Sequence, residues 1–398
     1  MKTPKHLLLV IGTAWLFDAM DVALLSFIMP MLKTEWQLSS TQLGLVGAMT
    51  NVGMIFGAVG CGRLADTFGR RRVLMGTLVL FSLSNLALAF APDVTWFMII
   101  RFVAGISLGG ELPVAATVLA DHFTGVKQSQ MLVLADSFWA WGWIVASLIA
   151  YLVMPAFGWR IAVGVTLIAS FYAFILREHL PAEAPRTDHA RAPFRELLTG
   201  RNLATLIPLS ALWFIVMLTY YGIFLWLPSV LTMRGFSIVS SLGYTLAMSF
   251  AQLPGYYLAA WLMTKISRKK IMALYLTGTI LASLVFAAAS STALILIGGA
   301  ALSFFDLGAW GTLIALTPGQ FARRIRGTAM GTAQSVGRVG STIGPFLVGW
   351  LLDAQFGLHG VFGIMIGLLL LALVLLLVFV KDQPVSEDAA AKPARALR

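Results

Sequence analysis

The chain has 398 residues, 59% of them hydrophobic and 11% charged, with a mean hydropathy of +0.87. Ordinary soluble domains carry about 25% charged residues. A soluble enzyme of this size is therefore excluded, as are a disordered chain and, with Cys61 the single cysteine, a disulfide-built secreted fold. The net charge of +11 lies in short breaks between apolar runs, not on one soluble face, which argues against a nucleic-acid partner.

Twelve runs approach the roughly 20 apolar residues that a spanning helix needs: 7–32, 42–61, 73–91, 95–119, 130–156, 159–177, 203–231, 242–264, 271–289, 293–317, 328–352 and 360–380. The first follows Lys2, Lys5 and His6, as a signal peptide would. It contains Asp18 and Asp21, lacks a small-residue cleavage site and leads into further spans, so it reads as retained. With the N-terminus placed in the cytoplasm, the inner segments hold 23 of the 28 lysines and arginines, and the outer loops hold Lys33, Arg160 and Arg234. That asymmetry predicts an all-α polytopic protein of the plasma (inner) membrane with both termini cytoplasmic.

The longest polar break, around 178–202, contains Pro181, Pro185 and Pro193 and separates six runs from six. The predicted organisation is a six-helix bundle over 1–180, a cytoplasmic linker over 181–202, a second bundle over 203–381 and a cytoplasmic tail over 382–398. An internal repeat supports it. GRLADTFGRRRV at 62–73 lies over AWLMTKISRKKI at 260–271, so that Arg70, Arg71 and Arg72 align with Arg268, Lys269 and Lys270. SLGGELP at 107–113 lies over DLGAWGT at 306–312. Repeated halves mark secondary transporters, with the substrate near the midplane between them.

GRLADTFGRRR between the second and third runs resembles the loop motif of the major facilitator superfamily. Gly62 and Gly69 permit close approach and a tight turn. Asp66 is suited to pairing with a neighbouring helix end, and Arg70 and Arg71 to the anionic inner surface; together these five form a candidate gating motif. WLFDAMDVALLSFIMP, RFVAGISLGGELPVAAT, SFWAWGW, YYGIFLWLPS, AQLPGY and LSFFDLGAWGTL are together similar to the bacterial niacin (nicotinate) transporters of that superfamily. RGTAMGTAQSVGRVGSTIGP at 326–345 resembles related organic-anion carriers, and the resemblance places Arg338 on the anion path. The chain departs from the family pattern at Pro318-Gly319, where relatives have Pro-Glu, at Lys127, where arginine is usual, and at Asp306, where an amide is usual.

Seven ionisable residues fall inside the runs: Asp18, Asp21, Arg101, Glu111, Asp136, Asp306 and Arg338. Charges at membrane depth are expensive and persist when paired, hydrated or functional. Asp18 and Asp21 share one helix face. Two close carboxylates in a low dielectric do not both ionise easily, the property a proton carrier needs. By resemblance to the proton-coupled sugar porters, Asp21 alternates between Arg101 and a proton; a fixed structural salt bridge is the other reading. Glu111, after Gly109 and Gly110, is a candidate relay or inner-gate residue. Asp136 is expected near the inner end of its span, paired with the basic loops. Arg338 is the candidate carboxylate anchor, with a pair to Asp306 as the alternative.

Trp139 and Trp143 are i and i+4 on one face, and Trp310 and Tyr221 fall in mid-span. These four, with Gln252 and Asp306, are candidates to line a site for a flat heteroaromatic acid. Pro228 and Pro254 mark expected bends, and Trp96 and Trp159 fit an interfacial belt. The histidines lie in loops or at run ends, so proton coupling falls to the carboxylates. No cofactor or metal is expected. The partners expected are a small organic acid, a proton and the lipid bilayer, with the protein a monomer. The function these features imply is proton-coupled import of a small aromatic acid, nicotinate by resemblance, by alternating access. Proton-driven export is the alternative, against which span five lacks the Gly-Pro-rich motif of superfamily antiporters. No nucleophile elbow or intramembrane-protease setting points to an enzyme.

Overall fold

A computed structural model describes residues 4–68, 70–109, 125–178, 194–322 and 325–382. Among them the regular structure is helical: α1 Pro4–Glu35, α2 Ser40–Phe68, α3 Arg70–Ala89, α4 Val94–Gly109, α5 Gly125–Asp136, α6 Phe138–Glu178, α7 Phe194–Leu197, α8 Gly200–Phe224, α9 Leu227–Met233, α10 Ile238–Phe250, α11 Gln252–Leu262, α12 Arg268–Ala288, α13 Thr292–Leu316, α14 Arg326–Asp353 and α15 Gly357–Phe379. A single 3-10 turn, Pro318–Gln320, precedes α14.

Several of these helices are fragments of the predicted runs. Helix α8 ends at Phe224 and α10 at Phe250, each four residues before a proline, Pro228 and Pro254. A proline ring clashes with the carbonyl four residues back, so the two bends fall where sequence places them. Pro228 then opens α9 in its first turn. A third break, at Ser137 between α5 and α6, has no proline, and α6 itself merges two runs across Gly158, whose φ is 78°. Joined in this way, the helices follow the twelve apolar runs in order. Serine starts fix three of the later helices: Ser237, Ser267 and Ser291 each accept an N–H from three residues on.

Among the described residues, six helical segments are long and apolar enough to cross a bilayer unaided, including Gly200–Phe224, Thr292–Gln320 and Gly357–Phe379. Helices α2 and α14 are not among them, because glycine, serine and threonine dilute their apolar character. Both turn toward each other instead of toward lipid, and close packing of small residues is what such an interface requires. Within the first half α1 packs on α6, and α2 and α3 on α4. Within the second, α8 packs on α14, and α11 and α12 on α13. The halves meet along α2 and α14, α6 and α10, and α1 and α9, with α5 against α11 and α13.

At the end far from the termini the α2–α14 seam is tight. A Cβ on Gly349 would strike the Ser40 carbonyl, and one on Gly44 would lie 2.6 Å from the Pro345 carbonyl oxygen. Trp159 is buried there against Trp36 and Phe97, with ring centroids 5.9 and 5.7 Å away, and donates to Glu35 Oε2 at 2.7 Å. It is a packing residue, not the belt residue expected. Trp96, 54% exposed, has the exposure a belt position needs.

Candidate functional site

The buried polar chemistry begins with two helices of the first half. Arg101 on α4 donates from Nη1 to Asp21 Oδ2 at 2.9 Å and from Nε to Thr50 Oγ1 on α2 at 3.0 Å. Asp21 and Arg101 are both about 2% exposed. A buried ion pair stands only when its remaining donors find partners, and Thr50 supplies one. Gly105, one turn beyond Arg101, permits this approach, since a Cβ there would strike the Thr50 carbonyl. Asp18 is buried one turn earlier on α1, within electrostatic reach of Tyr221.

A run of aromatic rings crosses from this half to the other. Trp139 on α6 stacks on Trp310 of α13, with centroids 6.3 Å apart and planes 19° from parallel. The Trp139 indole N–H donates to the Tyr220 hydroxyl at 2.7 Å, and the Tyr220 ring lies 5.1 Å from both Trp310 and Tyr221. Trp213 meets Trp310 edge-on at 6.1 Å and donates to Thr317 Oγ1 at 2.9 Å. Trp143 lies behind this group, edge-on to Phe27, Tyr220 and Phe224, so it backs the rings more than it lines them.

Arg338 is half-buried where α14 meets α2, its Nη1 3.1 Å from Met54 Sδ and 3.5 Å from the Tyr221 hydroxyl. It forms no ion pair with Asp306, so the alternative pairing of those two residues is not the arrangement observed. The guanidinium is left facing the aromatic group with weak partners, a geometry suited to a carboxylate.

Asp136 departs most from expectation. Sequence placed it near the basic loops, but the α5–α6 break turns it into the centre, 5% exposed, facing the Tyr256 hydroxyl and the Trp310 indole. Its Oδ2, Asp306 Oδ2, the Tyr256 hydroxyl and both side-chain polar atoms of Gln252 are buried without hydrogen-bond partners. Such atoms are rare in native interiors, and here they gather beside the ring group. Sequence reasoning gave Asp136 a structural pair with the basic loops and did not single out Tyr220, Tyr256 or Thr50 as site residues. No local signal marked Asp136, because the break at Ser137 that turns it inward carries neither proline nor glycine.

Glu111 lies outside the described residues. The backbones of Gly62, Asp66, Arg70 and Arg71 continue α2 and α3, their side chains outside the described residues, and Gly69 between the helices is outside them altogether. Among the described residues no group of three His, Cys, Asp or Glu side chains is placed to hold a metal ion.

The sequence matches the Major Facilitator Superfamily over residues 11–252 and 239–397. The chain belongs to that superfamily. A Bacillus subtilis (strain 168) protein named for niacin/nicotinamide transport is 43% identical, over 96% of this chain and 97% of that one. The niacin transporter NiaP of Acinetobacter baylyi is 37% identical over 95% of this chain and 93% of its own length. In fold the chain is similar to a crystal structure of a D-xylose–proton symporter, with a TM-score of 0.79 at 20% identity, covering 95% of this chain and 98% of that one. This major facilitator protein is a multi-pass membrane transporter and not an enzyme.

Proposed function

We propose that the chain imports nicotinate together with a proton by alternating access of its two six-helix halves. The observation that carries this reading is the aromatic group that spans the halves, Trp139 from one and Tyr220, Tyr221 and Trp310 from the other, with the Arg338 guanidinium at its edge. Flat rings offer a stacking surface for a pyridine ring, and a guanidinium binds a carboxylate in a fixed fork. The likeness to proteins named for niacin supports the choice of acid.

The Asp21–Arg101 pair is the coupling element on this reading. A proton on Asp21 removes the counter-charge that holds Arg101, and Thr50 keeps one of the arginine's donors satisfied while α1 and α4 shift. Asp18 shares the proton-handling role because it is buried one turn away. Glu111 serves as a relay toward the inner side, and the 62–71 motif as the inner gate. Both termini face the cytoplasm on this reading, which the distribution of lysine and arginine supports. The closed seam between α2 and α14 is then the outer gate.

Replacing Asp21 with Asn tests the coupling. The variant in proteoliposomes should exchange nicotinate across the membrane in counterflow, yet fail to concentrate it against a gradient. Uphill accumulation by the variant would remove Asp21 from the proton path.

A further inference from the structure

Arg338 can read the carboxylate of an aromatic acid, but it cannot tell a pyridine acid from a benzene acid. A second set of buried polar side chains beside the ring group holds what could. Asp136 from α5, Asp306 from α13 and Tyr256 from α11 converge there, with Tyr256 in electrostatic reach of both acids. Asp306 is also in electrostatic reach of Tyr220. Packing fixes the convergence: Gly311 on α13 holds its backbone against the Tyr256 ring, where a Cβ would sit 2.8 Å away, and against Val133 of α5. All three side chains are more than nine-tenths buried and carry unpartnered polar atoms, as does Gln252 one turn before Tyr256.

Burying a carboxylate without a partner is costly. Asp136 Oδ2 and Asp306 Oδ2, contributed by different halves, are left without hydrogen bonds in the packing beside Trp310. Neither is joined to Arg338 or Arg101, whose ion pair is made with Asp21. A ligand group that holds or accepts a proton would satisfy them. A pyridine nitrogen is such a group: as pyridinium it donates N–H to a carboxylate, and as the free base it accepts from a carboxylic acid. In both forms one proton is shared between ring and side chain.

The geometry points to Asp136 and Asp306 as the specificity-determining pair that reads the ring nitrogen, with Tyr256 as the polar neighbour of both. This rests on the substrate reading above and deepens it. Arg338 takes the carboxylate, the rings take the face, and the two acids take the nitrogen. Benzoate offers a C–H where nicotinate offers nitrogen, and so leaves buried acids unpaired. Sites built to hydrogen-bond a ligand group reject the analogue that lacks it far more strongly than apolar pockets reject a misfit.

The test is calorimetric titration of the full-length protein in lipid nanodiscs with nicotinate and with benzoate. The unmodified protein should prefer nicotinate by at least about tenfold. In Asp306→Ala and Asp136→Ala the ratio should fall toward one, through weaker nicotinate binding and unchanged or tighter benzoate binding. Tyr256→Phe, which keeps the packed ring, should lower the ratio by a smaller factor. Thermal unfolding of each variant guards against misfolding, and removing an unpaired buried acid should not lower the melting temperature. A ratio unchanged in both alanine variants, or two affinities that fall in parallel, would overturn the assignment while leaving the substrate reading intact. An unmodified protein that binds benzoate but not nicotinate would overturn both.

Discussion

The Asp353 carboxylate at the end of α14 accepts the backbone N–H of Thr41 at 2.7 Å, and its second oxygen accepts that of Ser40 at 3.0 Å. One half of the molecule thereby caps a helix of the other. Ser39 and Gln42 satisfy further groups of the first turn of α2, each accepting the other's backbone N–H at 3.2 and 3.0 Å. An acid at the end of its own helix is poorly placed for that helix's dipole, but it faces the positive end of α2. The contact acts as a latch at the end of the bundle far from the termini.

Removing the latch should loosen that end. Ser229 is buried near Pro30 and Lys33 there. With Cys61 replaced by alanine and Ser229 by cysteine, a membrane-impermeant maleimide should label the Asp353→Ala protein several-fold faster than its Asp353 parent. Equal rates would show that Asp353 does not hold this end closed.

The latch also has a defined pH behaviour. Burial draws the Asp353 carboxyl upward, but hydrogen bonds from Thr41 and Ser40 outweigh that and hold it at about 2, against an ordinary value of 3.8. A depressed folded value contributes stability that is complete above the unfolded value and is lost only as pH falls toward 2. Between pH 5 and 8 Asp353 stays ionised, so the pH profile of transport in that window should be the same in Asp353→Asn as in the parent, even if its rate changes. A shifted profile would tie coupling to the latch.

The Trp139–Trp310 stack predicts a graded series. Trp139→Phe keeps a ring against Trp310 but loses the N–H bond to Tyr220, and its nicotinate KM should rise a few-fold. Trp310→Ala loses the stack with Trp139 and the contacts with Tyr220 and Tyr221. Aromatic pairs are worth about 0.5–1.5 kcal/mol beyond the area they bury, so its KM should rise about tenfold or more. Equal effects from the two variants would argue that the rings only pack.

Arg338→Lys keeps a positive charge but loses the planar fork. Hydrogen bonds to charged groups contribute about 1.5–3 kcal/mol, so Arg338→Ala should weaken nicotinate binding about 10- to 100-fold, with Arg338→Lys intermediate. Nicotinamide, which lacks the carboxylate, should be affected far less by either change. Parallel losses for acid and amide, measured by competition, would remove Arg338 from carboxylate recognition.

Gly105 supports a stability prediction. Gly105→Val would drive α4 off the Thr50 carbonyl and disturb the Arg101 to Thr50 bond one turn away. Overpacking of this kind costs about 1–3 kcal/mol, and the melting temperature in detergent should fall accordingly. An unchanged melting temperature would contradict the α2–α4 packing described.

Much of this architecture was legible in the sequence. The apolar runs fixed the spans because lipid imposes its own length on them, and Pro228 and Pro254 fixed two breaks because the ring cannot be accommodated in a continuing helix. The Asp21–Arg101 partnership followed from the family resemblance and from the cost of leaving either charge alone. The partners of Asp136 and Asp353 were not legible. The break at Ser137 carries no proline or glycine, so nothing local announced that Asp136 turns inward. Asp353 reads as one more loop acid, and its partner Thr41 lies at the other end of the chain, brought near only by the docking of the halves. Tyr220 and Tyr256 were hidden among many aromatics, since composition does not separate a ring that packs from one that lines a site.

The most direct test of proton-coupled nicotinate import is uptake of radiolabelled nicotinate into proteoliposomes of oriented protein, with and without a pH gradient acidic on the outer face. Accumulation above the external concentration that collapses when the gradient is dissipated, with nicotinamide and benzoate as weaker competitors, is the predicted result. Nicotinate uptake that only equilibrates, at a rate indifferent to the gradient, would contradict it.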